Sequence, residues 1–224
     1  MLIYIHGFNS SPASFKAAAI QRELERRGCG EEFLAPALPH SPAAAASLLE
    51  TLARAHRDAC LVGSSLGGFY ATWLAEMHGV RAVLLNPAVR PYELLASGVG
   101  RQKNLHTGEE YDLTVQHIAE LHALEVGAIT PARYLLLVET GDEVLDYRHA
   151  VEKYRGARQL VIDGGDHGFS DFANYLGIVL EFCGVTRWQD AHKSVIPDSA
   201  PNGEHDSESS SLGTSKPYSS FADE

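Results

Sequence analysis

The sequence predicts an α/β fold, a doubly wound and mostly parallel sheet flanked by helices, and two observations carry that expectation. Short apolar runs bounded by turn residues recur at Leu2 to Ile5, Phe33 to Ala35, Cys60 to Gly63, Ala82 to Leu85, Tyr134 to Glu139 and Leu160 to Asp163. Runs of this kind are how strands covered on both faces read. Stretches with helical signals lie between most of them. Strands alternating with helices imply right-handed crossovers and a parallel sheet.

Each helix has a recognisable start. Ser11 and Pro12 open a segment running to Arg27, Ser41 and Pro42 open one to Arg57, and Asp146 heads one to Tyr154. Ser and Asp cap orphan amides, and Pro suits the first helical turn, where its missing N–H costs nothing. Leu66 to Met77 reads as a further helix directly after the third strand. The alternation fails between Pro87 and Pro131, a stretch with no clear strand that includes the polar segment Gly98 to Glu110. A long insertion in a compact domain is usually functional, so residues 88–131 are read as a small lid over a pocket; the plainer reading is an ordinary surface excursion.

Size and charge narrow the possibilities. A chain of 224 residues with 45% hydrophobic residues can bury one sizeable core, which makes residues 1–189 a single domain. The formal charge of −11 argues against nucleic acid or an anionic membrane as partner, since both recruit clustered Lys and Arg. Residues 190–224 hold seven acidic side chains, two lysines and nine serines. That tail lacks the apolar surface to offset its ordering entropy and is expected to be disordered. Cys29, Cys60 and Cys183 show neither a disulfide framework nor zinc spacing. No run reaches a membrane span and no signal peptide is evident, so a soluble cytoplasmic protein is expected.

Residues 61–69 read Leu Val Gly Ser Ser Leu Gly Gly Phe, which places GxSxG on Gly63, Ser65 and Gly67. In this pattern the nucleophile occupies a sharp strand-to-helix turn where flanking side chains would clash, so only small residues fit. Centring it on Ser64 would require glycines at Val62 and Leu66, which favours Ser65. A simple Gly-rich turn is the bland alternative; a P-loop is not, because no GxxxxGK follows.

The other parts of a hydrolytic site fall after other strands. His6 Gly7 Phe8 follows the first strand, where the backbone N–H of Phe8, together with that of Leu66, would form an oxyanion hole. His6 itself is expected to buttress that loop. Tyr134 to Glu139 leads into Asp142, the expected acid, with Glu143 facing solvent and Asp146 capping a helix. The last strand leads into Gly164 Gly165 Asp166 His167 Gly168 Phe169, with His167 as base. The order Ser65, Asp142, His167 is that of α/β-hydrolases. Leu38, Phe69, Tyr92, Tyr111, Val144 and Phe169 flank these loops and are candidates to line an acyl pocket, although apolar residues near loops are more often packing. His117 and His122 are five residues apart, off the spacing of ligands on one helix face, and no metal site is expected.

The stretches YIHGFNSSP, VGSSLGGFYATWLAE, NPAVRPYELL, TGEEY, TGDEVLDYR and GGDHGF resemble the YqiA-type esterases, a small branch of the α/β-hydrolases, over about residues 1–183. The resemblance implies an esterase that cleaves acyl esters, and acyl-CoA thioesters as a further class, with no cofactor and with Ser65, Asp142 and His167 as its triad. The expected partner is thus a small-molecule acyl ester or thioester. Two alternatives stay open on sequence: an acyltransferase with the same triad, and a non-catalytic hydrolase-fold binding protein.

Overall fold

Leu2–Ile5 (β1) is buried along its whole length and pairs in parallel on both sides, with Phe33–Leu34 (β2) and with Cys60–Ser64 (β3). The computed structural model describes residues 1–104 and 106–185; the expected tail at 190–224 and the last residues of the expected domain 1–189 lie outside the described residues. From β3 the sheet continues through Ala82–Leu85 (β4), Tyr134–Glu139 (β7) and Arg158–Ile162 (β8), all parallel, in the order β2-β1-β3-β4-β7-β8. The strand order reverses between β1 and β3. At such a switch point the loops beyond the carboxyl ends of the strands splay to opposite faces and leave a crevice.

Side chains alternate along the strands between two cores. Ile3, Ile5, Leu61, Leu84 and Leu136 join one, covered by Pro42–Ala55 (α2), Leu66–His78 (α3) and Tyr147–Lys153 (α6). Leu2, Tyr4, Val62, Leu85 and Leu137 join the other, covered by Phe15–Arg26 (α1) and Leu176–Phe182 (α7). Strands buried on both faces need continuous apolar runs, which is why these were legible in the sequence.

The helix caps refine the expected boundaries. Ser41 accepts a hydrogen bond from the Ala44 amide with Pro42 in the first turn, and Asp146 accepts from Arg148, both as expected. α1, by contrast, starts after Ser14, whose hydroxyl accepts from Ala17, while the Ser11 hydroxyl accepts from Ala13. The Ser11 turn precedes the helix and is not its cap.

The insertion differs from its reading as strand-free. It holds Pro91–Ala96 (α4), an antiparallel hairpin of Gly100–Lys103 (β5) and Glu110–Leu113 (β6), and Val115–Ala123 (α5). The hairpin is polar because it forms its own two-stranded sheet with much of its surface in water. Side chains tie it to the loop after β1: Tyr111 donates its hydroxyl proton to Asn9 Oδ1 at 2.7 Å, and Asn104 Nδ2 donates to the Ser10 carbonyl at 3.0 Å. Glu120 of α5 accepts from the Ser41 hydroxyl and the Ala43 amide at the start of α2, both at 3.0 Å.

Candidate active site

Ser65 sits at the turn between β3 and α3 with φ 54° and ψ −119°, a conformation that strains a residue bearing a Cβ. The neighbouring glycines are there because nothing larger fits. A Cβ on Gly63 would lie 2.4 Å from the Gly67 carbonyl oxygen, and one on Gly67 would lie 1.9 Å from the Ile5 carbonyl oxygen. Backbone bonds lock the elbow to the next strand, since the Ser65 amide donates to Leu85 O at 3.0 Å and the Ala88 amide donates to Ser65 O at 3.0 Å.

The loop after β1 runs beside this serine. A Cβ on Gly7 would lie 3.2 Å from Ser65 Cβ, so the chain carrying the Phe8 amide passes within contact distance of the nucleophile position. Leu66 is the first residue of α3, where amides have no intrahelical acceptor. His6 braces the loop: Nδ1 donates to the Gly7 carbonyl at 3.0 Å and Nε2 accepts from the Leu38 amide at 3.3 Å. These bonds fix its tautomer, and burial pushes its pKa down.

Asp142 and His167 come to the same edge from β7 and β8. His167 Nε2 lies 3.0 Å from Ser65 Oγ, and its Nδ1 lies 2.8 Å from Asp142 Oδ2 and 3.0 Å from Oδ1. The structure thus brings together the three side chains that the sequence singled out. Asp142 Oδ1 also accepts the Val144 and Leu145 amides, which hold the carboxylate in place from behind. The acid and base loops touch directly, the Gly141 amide donating to the Gly164 carbonyl at 2.7 Å. A Cβ on Gly141 would be 2.5 Å from the Gly165 carbonyl oxygen, so the TGD and GGDHG glycines serve this approach.

Several groups in the site were not anticipated. Asn86, at the end of β4, donates from Nδ2 to the carbonyls of Asp166 and His167 and accepts the Glu139 amide on Oδ1 at 2.9 Å. Lys16 is buried on the inward stripe of α1 with Ala17, Ile20 and Leu24, and its ammonium donates to the Gly168 carbonyl. Burial pulls its pKa down to about 8 against the opposing pull of Asp166 and Glu139. A lysine in register with the apolar residues of α1 was a readable signal. Glu143, expected to face solvent, is exposed, yet its Oε2 accepts the His167 amide at 2.9 Å.

Ser65 and His167 border a cleft with Phe8, Phe15, Lys16 and His106, and Gly7 and Phe8 are shared with a second chamber lined by Leu38, Leu66, Tyr70, Tyr111 and Leu121. Of the expected pocket residues, Leu38 and Tyr111 lie there. The others lie elsewhere. Phe69 and Phe169 are buried in the two cores, one on either side of the sheet. Tyr92 packs edge-on against His122 at 4.7 Å between α4 and α5. Val144 borders a groove with Pro87 and Leu94, in which Ser65 takes no part.

The chain matches known proteins over this same span. A family model described as Uncharacterised protein family (UPF0227) matches residues 1–184. A UPF0227 protein of Shewanella sediminis is 24% identical over 184 residues, covering 79% of this chain and 95% of that protein. Among solved structures, alpha/beta hydrolase domain-containing protein 10 from mouse aligns with a TM-score of 0.60 at 17% identity, over 86% of this chain and 89% of that one. The esterase domain of a Rhodothermus marinus protein aligns with a TM-score of 0.56 at 19% identity, over 80% and 83% of the two chains. The chain has the α/β-hydrolase fold and belongs to the UPF0227 family, in keeping with its YqiA-type motifs.

Proposed function

We propose that the protein is a serine esterase that hydrolyses carboxylic esters, with acyl-CoA thioesters as a further substrate class, through an acyl-enzyme intermediate. The observation that carries this reading is the continuous chain Ser65 Oγ, His167 Nε2, His167 Nδ1, Asp142 Oδ2, with separations of 3.0 and 2.8 Å. A serine hydroxyl is a weak nucleophile unless a base removes its proton as it attacks. His167 Nε2 takes that proton while Ser65 Oγ bonds to the acyl carbon, and Asp142 steadies the imidazolium through Nδ1.

The oxyanion formed on attack rests on the Phe8 amide of the loop after β1 and on the Leu66 amide at the N-terminus of α3, whose dipole favours negative charge. His167 then returns the proton to the departing alcohol or thiol. Water attacks the acyl-enzyme with His167 again as base, and Ser65 is released with its proton. The hairpin and α5 line the chamber beside Leu66 and so would shelter the acyl group. A cytoplasmic setting is proposed on the free thiols of Cys29, Cys60 and Cys183. Among the described residues no helix is long and apolar enough to cross a membrane.

Release of p-nitrophenol from short-chain esters, and of thiol from acyl-CoA, tests the reading. Turnover of either class that disappears in Ser65→Ala supports it. A folded protein that turns over neither would overturn it.

A further inference from the structure

Behind the histidine loop lies a carboxyl that the proposed mechanism does not use. Glu139 is the last residue of β7 and is 0% exposed. Its Oε2 accepts the Asp166 amide at 2.9 Å, while its Oε1 is buried with no donor, and so is Oδ1 of Asp171. Asp171 lies near enough to Glu139 to raise its pKa. Two carboxylates are both acceptors, so neither orphan oxygen can satisfy the other unless one of the two groups carries a proton. One proton on Glu139 Oε1 would serve both orphan atoms.

We propose that Glu139 is a positioning residue that carries a proton shared with Asp171, and that in this form it clamps the loop bearing His167. The assignment of the proton to Glu139 follows from burial: Glu139 is fully buried and Asp171 only partly so, and burial disfavours the charged form. Asp166 on the loop also faces Glu139 and further disfavours a second negative charge there. Lys16 from α1 opposes this, but its ammonium is committed to the Gly168 carbonyl.

The loop is shaped to receive the carboxyl. A Cβ on Gly165 would lie 2.2 Å from Glu139 Cδ, and Gly165 adopts φ 76°, so only glycine allows the backbone to lie against this group. From that contact the chain passes through Asp166, held by Glu139, to His167. Burial and the two facing aspartates push the Glu139 pKa up to about 7, which places loss of the proton within the range where hydrolysis would be assayed. A second negative charge then opposes Asp171 and Asp166 and loosens the loop.

The inference rests on the proposed triad, and its test separates the two. Ester hydrolysis is measured from pH 5.5 to 9 for wild type, Glu139→Gln, Asp171→Asn and Glu139→Ala, with an infrared spectrum of each to detect a protonated carboxyl. A glutamine accepts the Asp166 amide and donates to Asp171 without titrating. Glu139→Gln should retain wild-type turnover at pH 6 within about threefold and lose the alkaline decline, whereas Glu139→Ala should fall about tenfold at every pH. Asp171→Asn, which donates to an ionised Glu139, should also lose the decline. The wild type should show a protonated-carboxyl band at pH 6 that is absent in Glu139→Gln. An unchanged alkaline decline in both conservative variants, or no such band in the wild type, would overturn the inference. If the wild type lacks activity at all pH values, the triad reading fails, while the infrared band still decides whether the proton is shared.

Discussion

Asn86 holds His167 from the sheet: its side-chain amide donates to the carbonyls of Asp166 at 3.0 Å and His167 at 3.4 Å. The same side chain accepts the Glu139 amide, so one residue joins the ends of β4 and β7 to the base loop. Its φ of 41° suits Asn better than most residues. The base must reach from β8, at the edge of the sheet, back across β7 and β4 to the serine at the end of β3. Asn86 is the strut for that reach.

Replacing the strut should therefore cost activity as well as stability. Asn86→Ala removes buried hydrogen bonds, worth about 1–3 kcal/mol where a partner is left unsatisfied. The expected result is a lower midpoint in urea and about tenfold less kcat/KM, with the larger part in kcat. An unchanged kcat would show that Asn86 does not position His167.

The strained nucleophile allows a separation of chemistry from stability. Ser65→Ala and Ser65→Gly should each lower turnover by about 10⁶-fold, as in triads that lose their serine. Ser65→Gly should also be more stable than Ser65→Ala by roughly 1–2 kcal/mol, because glycine accepts the positive φ without strain. Thermal unfolding of the two variants side by side reads the difference.

Gly67 packs against the backbone of β1 with no room for a methyl group. Gly67→Ala should destabilise by about 3 kcal/mol or more, since a rigid carbonyl rather than a movable side chain blocks the new atom. Soluble expression and the chemical unfolding midpoint check this.

Lys16 should leave a mark on stability at alkaline pH. Its folded pKa is lowered from 10.5 to about 8, so between those values the unfolded chain binds the proton and the folded chain does not. Stability contributed by this residue thus rises with pH across the window from about 8 to 10.5. Raised tyrosine pKa values act in the opposite sense near the top of that range. The quantity to measure is the difference between wild type and Lys16→Met, which should move in favour of wild type as pH rises from 8 to 10.

What was readable in the sequence follows from how each part is built. β1, β4 and β7 lie where the apolar runs put them because both their faces are covered. β8 begins two residues before its apolar run, at Arg158, because an edge strand is only half covered. The β5–β6 hairpin escaped notice because its residues are largely polar and its register comes from pairing rather than from a buried face. Ser65, Asp142 and His167 stood out because strand-end position and glycine context restrict them strongly. Phe69 and Phe169 did not line the cleft: nearness in sequence to a site loop does not say on which side of the backbone a ring emerges, and both turn inward. Asn86 and Glu139 were invisible for a different reason, since each acts on a loop some 25 to 80 residues away in the chain.

Treatment of the purified protein with a fluorophosphonate probe, followed by peptide mass spectrometry, reads whether Ser65 is an activated nucleophile. An activated serine paired with its base should react, so the adduct is expected on Ser65 and should be lost in His167→Ala. A folded protein that forms no adduct, or forms one on another serine, would contradict the proposed esterase.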